Sequence, residues 1–210
     1  MASQRSSFVK EACVETLEEA RKAEENGADR IELCSRLDLD GLTPSRKLIT
    51  EIKSVLNIPI RVMIRPRAGD FYYSKADFTT MQADIKFCRK IKVDGVVFGA
   101  SQPDRTLDIA AIRMLAQLAH PLKVTIHKAI DDTPHILEAT QDLINIPEIT
   151  GILTSGGAKT AQEGSKTLLK MLKIAADKIE IIPAGKITRD NLEELHTLLH
   201  AKAYHGRKIV

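Results

Sequence analysis

Two short runs carry the same residue types at the same spacing: Glu11-Ala12-Cys13 and Glu32-Leu33-Cys34. Side chains alternate along a strand, so each run presents a carboxylate and a thiol on one face. Neighbouring strands lie about 4.8 Å apart, which would let Cys13 and Cys34 act on one ion, with Met63 next in line. Soft thiolate and thioether ligands select Cu(I) over Zn(II), Mg(II) or Ca(II). Cysteine is also among the most buried residue types for packing reasons alone. The remaining cysteine, Cys88, falls on the apolar stripe Phe78, Met81, Ile85, Cys88 and is read as core.

A second set of residues suits an anion. In Ile64-Arg65-Pro66-Arg67-Ala68-Gly69-Asp70-Phe71 two arginines bracket a proline that stiffens the turn, and Gly69 permits a sharp bend. Guanidinium forks held this way match a carboxylate or phosphate, with Asp70 beside them. Ser155-Gly156-Gly157 can form a backbone nest for an anion. His127, with Glu32, Asp131 or Glu11, has the groups to move a proton near neutral pH. His205 ends the last apolar run and joins the anion-facing set.

What would position these residues is a repeated alternation of short apolar runs and amphipathic stretches. Strands are expected over 8–13, 30–34, 60–64, 95–98, 123–126, 151–154, 180–182 and 203–205. Helices are expected over 15–26, 45–56, 75–91, 108–119, 133–143, 162–176 and 188–199. Asn26-Gly27 closes the first helix and Thr188-x-x-Asn191 opens the last. This predicts a single α/β domain over 1–210, a (β/α)8 TIM-type barrel, because closure leaves no strand edge to protect. An open doubly wound sheet is the alternative. Five residues follow His205, so the final helix is expected to be missing. The seam beside strands one and eight would then be covered by a second copy in a homo-oligomer, a dimer, unless Met1 to Ser7 fill it.

Alternation assigns the faces. Ile31, Leu33, Val62, Ile64, Val124 and Ile126 should face the helices. Glu32, Cys34, Arg61, Met63, Arg65, Thr125 and His127 should face the axis, with Glu11 and Cys13 sharing a face of strand one. A buried ion-pair network that sets strand register would explain Glu11, Glu32 and Arg61. Charge is expensive to bury unpaired, however, and barrel sites lie at the C-terminal strand ends, which favours a ligand-facing mouth.

Composition narrows the function. The 31 basic and 28 acidic residues are interspersed, aromatics are 4% and tryptophan is absent, which disfavours nucleic acid as a partner. The polar start and the lack of any span-length apolar run disfavour secretion and membrane insertion. Three cysteines at no zinc-like spacing point to a reduced, cytoplasmic setting.

The motifs resemble those of the CutC copper homeostasis family. They are Asn26-Gly27-Ala28-Asp29-Arg30-Ile31-Glu32-Leu33-Cys34 with Gly41-Leu42-Thr43-Pro44-Ser45, the Arg65–Phe71 loop, Thr125-Ile126-His127-Lys128-Ala129 with Asp131, and Leu153-Thr154-Ser155-Gly156. The resemblance runs from about Glu11 to His205. It implies a TIM-type barrel, a cytoplasmic location, an oligomeric habit and a role in copper handling. The matching positions are Glu11, Cys13, Glu32, Cys34, Arg65, Arg67, Asp70, His127, Asp131 and His205. It departs at Pro183-Ala184-Gly185-Lys186, where the family has a glycine-rich turn and Lys186 can supply charge instead. Binding or handling of Cu(I) through Cys13 and Cys34 is the function expected. The alternative is an aldolase- or isomerase-like enzyme acting on a small anionic metabolite at the same mouth.

Overall fold

A computed structural model of the protein describes residues 8–210. Eight strands alternate with seven α-helices among these residues. The strands are β1 Val9–Val14, β2 Arg30–Leu33, β3 Ile60–Met63, β4 Gly95–Phe98, β5 Lys123–Ile126, β6 Ile149–Thr154, β7 Glu180–Pro183 and β8 Ala203–Gly206. The helices are α1 Leu17–Glu25, α2 Arg46–Val55, α3 Lys75–Ile91, α4 Ile109–Ala119, α5 Ile136–Ile144, α6 Ser165–Ala175 and α7 Leu192–Leu199. All strand pairs are parallel, in the order β7-β6-β5-β4-β3-β2-β1-β8, and β7 also packs against β8. The result is a nearly closed barrel, as the alternation of runs predicts.

Local chemistry sets the boundaries. Thr16 caps α1 by accepting the Glu19 N–H, and Gly27 follows its C-cap at φ 86°. Ser74 and Asp77 form a reciprocal capping box on α3. Helix α5 starts later than the apolar pattern suggests. Residues Lys128–Asp132 wind into a 3₁₀ turn, and Pro134 holds Thr133 extended at φ −73°, ψ 139°. That short turn carries Asp131 to the barrel mouth.

The gap left by the absent last helix, expected beside β1 and β8, is distinct from the break in strand pairing. Strand β8 is hydrogen-bonded to β1, so the unpaired edges are those of β7 and β8. No helix follows β8, but the chain turns back across the opening. Lys208 bridges Thr188, the Arg189 N–H donates to the Lys208 carbonyl at 2.8 Å, and Ile209 is buried. Met1 to Ser7, the other expected filler, lie outside the described residues.

The outer core between sheet and helices contains Ile31, Leu33, Val62, Ile64, Val124 and Ile126, as alternation requires, together with Cys88. The axis is different. One side is apolar, with Val9, Leu153, Ile182, Ala184 and Ala203. The other is an ionic floor. Glu11 pairs with the Arg30 Nε and lies 3.7 Å from Arg61, and Glu180 meets Arg30 at 3.1 Å and Arg61 at 3.5 Å. Arg61 also donates to the Thr125 hydroxyl at 2.8 Å. Gly95 makes room for this arrangement, since a Cβ there would meet the Lys123 carbonyl at 2.7 Å and the Arg61 Cγ at 3.2 Å. Arg30 and Glu180 complete the network although neither stood out in the sequence. Arg30 shares the parity of Glu32 and Cys34, a signal that was present.

Candidate functional site

Above the ionic floor the mouth opens into a cavity of about 1080 Å³. Its wall on the β1, β2 and β8 side holds both thiols. Parallel register sets Cys13 beside Glu32 and Glu11 beside His205. The Cys13 and Cys34 sulfurs lie 3.9 Å apart and form no disulfide. Glu32 Oε2 lies 3.6 Å from Cys13 Sγ and 3.4 Å from Cys34 Sγ. His205 bridges the carboxylates, with Nδ1 at 2.9 Å from Glu11 and Nε2 at 3.7 Å from Glu32. Met63 and Val97 close the apolar side of the thiol pair. His205 was expected among anion-binding residues. It sits instead between two carboxylates, because barrel closure sets β8 against β1.

The electrostatics of this wall are coupled. Burial opposes the charge on Glu11, but the His205 hydrogen bond and the charges of Arg30 and Arg61 outweigh it and hold the carboxyl at about 2. Burial disfavours an imidazolium at His205, yet Glu32, Cys13 and Glu11 keep its pKa well above the usual histidine value. The hydrogen bond from Cys34 and the nearby His205 lower Cys13 to about 5, while Cys34 is pushed well above an ordinary thiol by sharing that bond and by burial. The thiolate of the pair is therefore favoured on Cys13 over Cys34. Burial raises Glu32 to about 8, against the pull of the neighbouring His205 charge.

The raised Glu32 pKa has a consequence for stability. Its folded pKa of about 8 exceeds the ordinary 4.5, so its burial subtracts progressively more stability as pH rises from 4.5 through 8. Glu32→Gln should fold more stably than the wild type, with a margin that grows across this window. Urea denaturation at pH 5 and pH 8 measures it, and an unchanged margin would refute the assignment.

Metal-ligand arithmetic suits the thiol wall. With metal–sulfur bonds of about 2.3 Å, two sulfurs on a trigonal centre sit about 4.0 Å apart, and on a linear one about 4.6 Å. The observed 3.9 Å matches a bent or three-coordinate arrangement. The ligand atoms of Cys13, Glu32 and His205 all fall within 4.8 Å of one another. Glu32 Oε1 is buried without a hydrogen-bond partner among the described residues.

The opposite wall departs from expectation. Arg65 is buried and donates to the carbonyls of Leu39 at 2.9 Å, Gly41 at 3.1 Å and Gly69 at 2.8 Å. Its fork braces two loops, while the residue still lines the cavity and its Nε has no hydrogen-bond partner among the described residues. Arg67 is absent from the cavity lining. It is tied to Asp70 at 2.7 Å and Asp77 at 3.4 Å, so the expected two-arginine clamp is not assembled. The Ser155-Gly156-Gly157 nest does form, but it already holds an anion from within the chain. The Asp131 carboxylate accepts the N–H groups of Ser155 at 3.0 Å and Gly157 at 2.8 Å, and Lys128 lies 2.6 Å away. Among the described residues no hydrogen bond links His127 to Asp131, Glu32 or Glu11, the carboxylates expected to work with it: its Nδ1 accepts the Ala129 N–H and its Nε2 is unpaired.

The fold and this mouth define a TIM-type barrel with a paired-thiol site at the C-terminal ends of its first two strands. A CutC family profile matches residues 8–210. The chain is 39% identical over 188 residues to the human copper homeostasis protein cutC homolog, covering 90% of this chain and 68% of that protein. It is 42% identical over 185 residues to a CutC family protein of Rhizobium meliloti (strain 1021), covering 88% of this chain and 75% of the relative. The crystal structure of a copper homeostasis protein CutC from Streptococcus agalactiae superposes with TM-score 0.92 at 28% identity, covering 97% of this chain and all of that one. The protein belongs to the CutC family.

Proposed function

We propose that the protein binds Cu(I) as cargo between Cys13 and Cys34, within a role in copper homeostasis. The observation that carries this reading is the pair of unoxidised sulfurs 3.9 Å apart at the cavity wall. Charge balance supports it. Cu(I) binding with loss of the Cys34 proton forms the second Cu–S bond and leaves the buried charge unchanged. One cation enters and one proton leaves, so no net charge is added to a low-dielectric site.

The reduced thiols fit a cytoplasmic setting, and no helix among the described residues is long and apolar enough to cross a membrane. The same reading has the chain working as a homodimer, which sedimentation equilibrium would test.

The direct test is competition against a Cu(I) chelator under reducing conditions. One Cu(I) per chain, with sulfur scatterers in the X-ray absorption spectrum and one proton released, is the expected result. Cys88→Ser should bind equally, because Cys88 lies in the outer core away from the cavity. Failure to retain copper against the chelator, or a spectrum without sulfur, would remove the reading.

A further inference from the structure

His127 lines the cavity on the wall opposite the thiols and takes no part in the copper site. Its ring packs against Phe71, with centroids 4.6 Å apart. On the other edge lies Gly99, where a Cβ would come within 2.8 Å of Nδ1, so only glycine leaves the ring its place. The Ala129 N–H donates to Nδ1 at 3.2 Å. A nitrogen that accepts carries no proton, so the neutral ring is protonated on Nε2. Burial, reinforced by the charge of Arg65, lowers the ring's pKa to about 3 and keeps it neutral. The Nε2–H is thus a buried donor, and it has no partner among the described residues. Native structures seldom leave such a donor unsatisfied unless a ligand or water completes it.

Across the same cavity the residues following β6, β7 and β8 contribute Lys159, Lys186 and Lys208. None of the three forms an ion pair among the described residues, in contrast to Lys128, which Asp131 neutralises. Arg207 beside them pairs with Glu19 alone among the described residues, at 3.9 Å. A neutral imidazole donor on one side and several uncommitted cations on the other suit a molecule with two kinds of oxygen. Three ammonium groups match a phosphate dianion better than a single carboxylate.

We infer that the mouth binds a small phosphorylated carbonyl compound that spans it, its carbonyl oxygen accepting the His127 Nε2–H and its phosphate lying among Lys159, Lys186 and Lys208. The geometry gives the imidazole the role of a neutral hydrogen-bond donor that polarises a carbonyl. This site is independent of the copper reading, since it uses neither thiol.

The test uses the full chain, free of copper, with dihydroxyacetone phosphate as the probe and inorganic phosphate as the control. Histidine-ring nitrogen NMR should show His127 as the neutral, Nε2-protonated tautomer, and the probe should shift its Nε2–H signal. By calorimetry, phosphate lacking the carbonyl should bind about tenfold more weakly than the probe, as expected for one unmade hydrogen bond to a buried donor. His127→Phe should weaken the probe by a similar factor, His127→Gln should recover part of it through its amide N–H, and Lys186→Met should weaken probe and phosphate alike. An Nε2–H signal unmoved by saturating probe would overturn the proposal, and this readout needs only the wild-type protein. Equal affinity for probe and phosphate would overturn the carbonyl contact, and unchanged binding in Lys186→Met would overturn the phosphate contact. A Cu(I) titration of His127→Phe should match the wild type, so failure of this site and failure of the copper site are separable.

Discussion

Cys13→Ser and Cys34→Ser should each lower Cu(I) affinity by more than the about 10–100-fold typical of losing an outer-shell partner. The two sulfurs make one site, and neither remaining thiol can supply two soft ligands. The variants should differ in a second respect. Cys13 holds the thiolate beside His205, so Cys13→Ser leaves the interior with an excess positive charge as well as a missing ligand. Cys34→Ala, which unlike Cys34→Ser leaves no hydrogen-bond donor at this position, removes the hydrogen bond that lowers Cys13, so the Cys13 pKa should rise from about 5 and its alkylation at pH 6 should slow. Competition against a Cu(I) chelator gives the affinities, and mass spectrometry of alkylated peptides gives the thiolate order. Wild-type affinity in both variants would mean that copper is not held by this pair. Glu32→Gln, which keeps both sulfurs, should retain most of the affinity.

Glu11→Gln should be the most damaging single change to the fold. This carboxylate is 1% exposed and faces Arg30, Arg61 and His205 together. Removing one member of a buried ionic group costs about 3–5 kcal/mol, because the remaining charges stay buried without compensation. The dependence on pH follows from the direction of the shift. The folded pKa of Glu11, about 2, lies below the ordinary 4.5, so its stabilisation is complete above 4.5 and is lost as pH falls through 2. Urea denaturation at pH 7 should show the full deficit in Glu11→Gln. Near pH 2 the two proteins should converge, since the wild-type carboxyl is then also becoming neutral. Glu180→Gln should cost less, because Glu180 keeps 22% of its side chain exposed and water screens its pairs. A deficit below about 1 kcal/mol for Glu11→Gln, the range of a surface ion pair, would show that the floor is not held by this residue.

The alternation of the strands was determined by local sequence. A period of two requires only neighbouring residues, so Glu32 and Cys34 face inward while Ile31 and Leu33 pack under helices whatever the rest of the chain does. The barrel followed from repetition of that unit, and the thiol pair from equal placement of Cys13 and Cys34 at the ends of adjacent strands. The partner of each charge could not be read this way. Glu11 meets His205 across 194 positions and Arg30 meets Glu180 across 150, contacts that exist only once the sheet closes with its particular stagger. Arg65 and Asp131 illustrate the same limit. Their types suggested an anion clamp and a proton carrier, but folding brought carbonyls of neighbouring loops to one and a backbone nest to the other. Buried polar groups take whatever partners the fold offers, because leaving them unpaired is costly. Among the described residues the cavity-lining atoms that stay unpaired, Glu32 Oε1, Arg65 Nε and His127 Nε2, were therefore chosen by the tertiary structure, and they mark where a ligand has most to gain.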